Sequence, residues 1–124
     1  MDRSDAWHER VRAWWDRVVE DVVVPVAVLP EITYLLQSRI GPRAEAAFVR
    51  AVASDEFVVE ALEPEDIARA ADLMVAYADF PLGFVDASIV ATAERLGVGT
   101  LLTTDRRHFS VVRPAHVERL TLVP

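Results

Sequence analysis

Three carboxylates in this chain could act together, and one of them, Asp86, stands where charge is costly to place. Asp86 falls inside Phe84-Val85-Asp86-Ala87-Ser88-Ile89-Val90-Ala91, a run with no other charge. Burying a lone carboxylate costs several kcal/mol unless a cation or hydrogen-bond donors compensate it, so this residue asks for a partner. Asp105 closes the next apolar run, Leu101-Leu102-Thr103-Thr104-Asp105, and Glu31 follows Pro30 just after the valine-rich stretch Val22 to Val28. Oxygen donors without His or Cys select hard cations, which makes Mg²⁺ or Mn²⁺ the fitting occupant. Each acid also has an ordinary reading. Glu31 can complement a helix dipole, and Asp105 can act as N-cap or turn residue before Arg106-Arg107-His108-Phe109. Asp86 is harder to explain that way, because Val85, Ala87, Ile89 and Val90 around it imply burial.

The elements that must position these acids follow from periodicity and from proline and glycine. Trp7, Val11, Trp14, Trp15 and Val18 have helical spacing, with charges on the opposite side. Val22 to Val28 predicts a buried strand, and a helix runs from Pro30 through Leu36 to end near Gly41. Pro42 restarts a helix to about Ala53, Phe57 to Leu62 forms a second strand, and a helix runs from Pro64 to about Tyr77. A buried helix then spans about Phe84 to Leu96 and stops at Gly97, followed by strands at Thr100 to Thr103 and near Arg119 to Leu122. Strands alternating with helices imply right-handed crossovers, so the expected fold is a three-layer α/β/α domain with a central, mostly parallel sheet. Neither repeat nor linker breaks residues 1–124, which read as one domain. Ligands of such sheets bind beyond the carboxyl ends of the strands, the edge where Glu31, Asp86 and Asp105 are expected.

Composition narrows the chemistry. With 124 residues, 52% of them hydrophobic, the chain is long enough to bury a core without disulfides or structural metals. The lack of cysteine excludes disulfides and thiolate metal sites and fits a reducing, cytoplasmic setting. No run approaches the roughly eighteen apolar residues of a membrane span, and the charged, helical start is unlike an export signal. A net charge of -7 excludes a generally basic nucleic-acid binder but leaves room for an acidic metal pocket flanked by arginines, which supply all thirteen cations. His8, His108 and His116 are spaced too widely for a zinc site, and the absence of lysine argues against an aspartyl-phosphate receiver.

Three segments together resemble a known family. They are Val24-Pro25 through Pro30-Glu31-Ile32-Thr33-Tyr34-Leu35-Leu36, then Tyr77-Ala78-Asp79-Phe80-Pro81-Leu82-Gly83-Phe84-Val85-Asp86-Ala87, and Leu101-Leu102-Thr103-Thr104-Asp105-Arg106-Arg107-His108-Phe109. In order, spacing and chemistry they resemble PIN-domain proteins, specifically the VapC-type toxins of bacterial toxin-antitoxin pairs. That resemblance implies a metal-dependent endoribonuclease in which Glu31, Asp86 and Asp105 are catalytic and hold Mg²⁺ or Mn²⁺, directly or through water. It also implies a homodimer and a VapB-like antitoxin whose tail covers the acidic pocket. Asp79, Thr103 and Thr104 are secondary candidates beside the metal, against ordinary loop and strand-end roles. Arg39, Arg43, Arg106, Arg107 and Arg113 are candidates for RNA phosphates, against a solvated surface. Trp7, Trp14 and Trp15 read as core or interface packing rather than base stacking.

One element of the resemblance has no counterpart. Family members begin with a central strand ending in an Asp that is the first metal ligand, whereas Met1-Asp2-Arg3-Ser4-Asp5 resembles the loop that follows it. The expectation is therefore a PIN-like domain incomplete at its N-terminus, with a start codon assigned too far downstream as the favoured account. A truncated copy and a strand supplied by a partner are the other two. The rival function is a nuclease-inactive PIN-like module that binds antitoxin or RNA without cutting.

Overall fold

Proline and glycine set most of the boundaries between elements. The computed structural model describes residues 22–103 and 106–123. In chain order they form β1 (Val23–Pro25), a 3-10 turn (Val26–Val28), α1 (Leu29–Arg39), α2 (Pro42–Ala53), β2 (Val58–Glu60), α3 (Pro64–Ala76), α4 (Phe84–Leu96), β3 (Thr100–Leu102), α5 (Arg106–Val111) and β4 (Thr121–Val123). Pro30, Pro42 and Pro64 each occupy the first or second position of a helix, where the missing N–H costs nothing. Gly97 ends α4 in the left-handed region at φ 68°, a conformation that penalises any side chain with a Cβ. The chain divides into two units, one ending at Ala61 and one beginning at Leu62.

In the first unit β1 and β2 pair in parallel, Val23 with Val58, Val24 with Val59 and Pro25 with Glu60. The strand is shorter than the valine run suggested. Pro25 has no N–H to extend the ladder, and the backbone tightens into the 3-10 turn directly after it. Phe48 of α2 packs against Phe57, ahead of β2, with ring centroids 5.3 Å apart. Neither α1 nor α2 buries any residue completely, and Tyr34 and Ile40 remain 66% and 59% exposed.

The second unit holds a closed core. Ala70 and Leu73 of α3, Leu82, Ala87 and Val90 of α4, Phe109 and Val112 around α5, and Leu120 form one buried cluster. β3 and β4 pair in parallel through Thr100 with Thr121, Leu101 with Leu122 and Leu102 with Val123. The strands are parallel, as expected for an α/β protein, and among the described residues they form two two-stranded sheets, one in each unit. The helix expected over Trp7 to Val18, with its three tryptophans, lies outside the described residues. Helix α5 was not anticipated, because six residues are too few to establish a helical period.

Two substitutions on α3 test this burial pattern. Leu73 is 2% exposed, so Leu73→Ala is expected to lower unfolding free energy by about 2–5 kcal/mol in urea denaturation. Val75→Ala, at a position 77% exposed, should change it by no more than about 0.5 kcal/mol.

Candidate functional site

The first turn of α4 begins at the extended residue Gly83, whose carbonyl accepts the Ala87 N–H at 2.9 Å. Asp86 is the acid of that turn, where unsatisfied N–H groups and the helix dipole favour negative charge. It is half-buried, less enclosed than its apolar neighbours implied. Withdrawal from solvent begins one residue later, at Ala87, and continues through Ser88, Val90, Ala91, Thr92 and Ala93. Asp86 therefore stands on the rim of the core, with its backbone fixed by the buried helix.

Two segments converge beside this turn. Leu82, in the loop before α4, is 4% exposed and Phe109 of α5 is 3% exposed, and both belong to the core cluster. Between these anchors the Phe80 and His108 rings pack at 5.3 Å and 52°, and the Arg107 guanidinium carbon lies 5.6 Å from the Phe80 ring centre. At the end of β3 the Thr103 N–H donates to the Val123 carbonyl at 2.8 Å, so the sheet holds the backbone one residue past the strand. The Asp86 turn and the start of α5 thus share one end of the second unit. Thr104 and Asp105 lie outside the described residues, as does the Arg106 side chain.

The remaining candidates are distributed more widely. Glu31 is exposed in the first turn of α1, in the first unit, and Thr33 beside it donates to the Pro30 carbonyl at 3.1 Å. Asp79 is exposed in the turn after α3, and Arg39, Arg43, Arg107 and Arg113 are exposed. The Arg113 backbone N–H donates to the Tyr77 hydroxyl at 2.8 Å, which ties the segment after α5 to the end of α3. Among the described residues no three His, Asp or Glu side chains converge as a metal cage, and Asp105, the expected third ligand, is not one of those residues. The donor set itself, carboxylate oxygens alone, suits a hard divalent cation.

Sequence reading missed two ion pairs that join α3 to α4. Asp66, 2% exposed, accepts the Glu63 N–H at 2.9 Å and the Arg95 Nε–H at 2.9 and 3.1 Å on its two oxygens. Arg69 donates through Nε and Nη2 to the two oxygens of Glu94 at 2.8 and 3.0 Å, and Glu94 Oε2 also accepts the Ala115 N–H at 2.7 Å. Burial works to raise the pKa of Asp66, but the hydrogen bonds from Arg95 and from Glu63, with the Arg95 charge, hold it below the usual carboxylate value. Glu94 is also held low: its burial is outweighed by the Arg69 and Ala115 hydrogen bonds and by the nearby positive groups. The spacing Glu63-Pro64-Glu65-Asp66, with a carboxylate at the third helical position, was the available signal for half of this arrangement.

Comparison with known proteins gives this geometry a family. The PIN domain model matches residues 2–113. The chain is 34% identical over 124 residues to Ribonuclease VapC26 of Mycobacterium tuberculosis, spanning 100% of this chain and 92% of that protein. Its fold matches the crystal structure of Mycobacterium tuberculosis VapC20, a sarcin-ricin loop cleaving toxin, with a TM-score of 0.78 and 26% identity over 94% of this chain and 88% of that one. DNA-bound VapBC from Salmonella typhimurium matches with a TM-score of 0.68 and 17% identity over 92% and 83% of the two chains, a likeness of fold alone. The architecture is therefore that of an α/β PIN domain. Within that class the chain belongs to the VapC-type nuclease family.

Arg95→Ala leaves Asp66 buried and without its cation, and should destabilise the protein by about 3–5 kcal/mol at neutral pH. Because the folded pKa values of Asp66 and Glu94 are depressed, their contribution is complete above the unfolded carboxylate range near pH 4 and is lost as pH falls through the lower folded values. Urea unfolding across the acid range should show the gap between wild type and Arg95→Ala narrowing below about pH 4.

Proposed function

We propose that the protein is a Mg²⁺-dependent endoribonuclease toxin of a VapBC-like toxin-antitoxin pair, acting in the cytoplasm. The observation that carries this reading is the position of Asp86, a half-buried carboxylate fixed on the first turn of a core helix at the end of the unit where β3 gives way to α5. Full-length similarity to a protein named as a ribonuclease supports the same reaction class.

Asp86 and Asp105 are assigned as metal ligands, with Glu31 binding directly or through water, and Mn²⁺ is an acceptable substitute. When bound, the divalent cation lowers the pKa of a water and stabilises charge on the phosphate oxygens. The chain's own contribution is placement. The core packing of α4 sets the Asp86 backbone, the sheet bond holds Thr103 at the end of β3, and the helix N-terminus favours the Asp86 negative charge. Exposed arginines supply phosphate contacts, and Asp79, Thr103 and Thr104 are assigned to the surrounding hydrogen bonds. A VapB-like antitoxin and a second copy of the chain are the proposed partners, a reading supported by Tyr34, Leu35, Ile40 and Val49, large apolar side chains exposed on α1, on α2 and at the turn between them.

Asp86→Asn keeps the shape of the side chain and removes its charge. It should reduce Mg²⁺-dependent cleavage of cellular RNA by more than about a hundredfold, since lost support of a metal ligand alone costs 10–100-fold. It should also remove the Mg²⁺-induced rise in melting temperature expected of wild type. Cleavage by the variant at the wild-type rate would sink the assignment. RNA binding without cleavage by the wild type, with Mg²⁺ or Mn²⁺ supplied, would establish the non-cutting module instead.

A further inference from the structure

A chain with net charge -7 that handles a polyanion must offer positive charge locally, at the place where the strand is held. Arg107 meets that need in an unusual setting. It is exposed, yet its guanidinium carbon sits 5.6 Å from the centre of the Phe80 ring. A flexible arginine on a surface loses several rotatable bonds on gripping a phosphate, and one already resting on an aromatic face has lost part of that freedom beforehand. The ring is itself held. Phe80 is half-buried, packs on His108 at 5.3 Å, and is flanked by the core anchors Leu82 and Phe109. This platform lies between the loop that leads into the Asp86 turn and the first turn of α5, at the end of the unit assigned to catalysis.

We propose that Arg107 binds a phosphodiester of single-stranded RNA beside the cleavage site, and that Phe80 is the positioning residue that orients its guanidinium. The proposal rests on the ribonuclease reading for the identity of the polyanion. Its geometry is independent of the metal ligands. Arg107 presents N–H donors in a planar fork suited to two phosphate oxygens, while the ring face beneath it directs that fork outward. His108 supports the ring from its other neighbour and needs no contact with RNA.

The test is binding of a short, fluorescently labelled single-stranded RNA to the full chain in EDTA, followed by anisotropy over a series of KCl concentrations. Arg107→Ala should weaken binding about tenfold, as for loss of a charged hydrogen bond. It should also lower the slope of log affinity against log salt by about 0.7, the value for one phosphate contact on a single strand. Phe80→Leu keeps the apolar bulk and should weaken binding about threefold. The decisive readout is the double variant: if Phe80 acts by orienting Arg107, Phe80→Leu should have no further effect in the Arg107→Ala background. Wild-type affinity and slope in Arg107→Ala would overturn the phosphate contact, and equal effects of Phe80→Leu in both backgrounds would overturn the positioning role. Absence of RNA binding by wild type in EDTA would overturn both. Failure of the catalytic reading shows separately, as cleavage retained by Asp86→Asn, so the two results are distinguishable.

Discussion

Helix α4 is withdrawn from solvent along the face that carries Ala87, Val90, Ala91 and Ala93, and its last turn is gripped by α3 through Arg95 and Glu94. These two attachments fix where Asp86 stands. Alanines on the buried face allow close approach of neighbouring elements, so the helix has little room to shift along its axis. Asp86 lies on the same stripe as Val90 and Ala93, so its partial exposure comes from its place in the first turn, before the buried residues begin. The loop before α4 and helix α5 are anchored to the same core by Leu82 and Phe109. The position of Asp86 at its end of this unit is thus inherited from packing that does no chemistry.

The ion pairs add directionality that apolar packing lacks. Asp66 and Arg69 lie three residues apart on α3, while Glu94 and Arg95 are adjacent on α4, and the charges alternate so that each acid meets an arginine. Exchanging partners would set Asp66 against Glu94 and Arg69 against Arg95. Partly buried pairs of this kind are weak evidence for net stability, because desolvation offsets much of the attraction, but a mismatched register sets like charges against each other. We therefore attribute to them the choice of one docking of α3 on α4 among those that apolar contact alone would permit. The bond from the Ala115 N–H to Glu94 carries that choice into the segment leading to β4.

What the sequence made legible was local. Phe84 to Leu96 was bounded correctly because the ends are chemical: Gly83 and Pro81 before it, and Gly97 after it at a φ that favours glycine. The helices starting at Pro42 and Pro64 were equally readable. The valine run misled because hydrophobicity reports burial and says nothing of a ladder that stops at a proline. Asp66 with Arg95, and Arg69 with Glu94, are separated by 29 and 25 residues and carry no local pattern, so no reading of spacing could pair them. Asp86 was singled out by its unusual surroundings, although those surroundings overstated its burial, since the first turn of a buried helix still opens toward solvent.

The pairing of charges also bears on how an acidic protein would engage RNA under the proposed function. Asp66 and Glu94 are closely neutralised by arginines within hydrogen-bond distance, so beyond a few ångströms each pair acts as a dipole rather than as a net charge. At physiological ionic strength the field of distant surface acids is screened over about 8 Å. A strand arriving at the Asp86 end therefore responds to the charges within that radius more than to the total. Among these, Arg107 lies over an aromatic ring, its guanidinium carbon 5.6 Å from the Phe80 ring centre. An arginine on a carboxylate is a structural tie; an arginine on a phenyl face keeps its field available to a phosphate. The molecule uses the first arrangement to seat α4 and the second at the end of the unit where that helix presents Asp86.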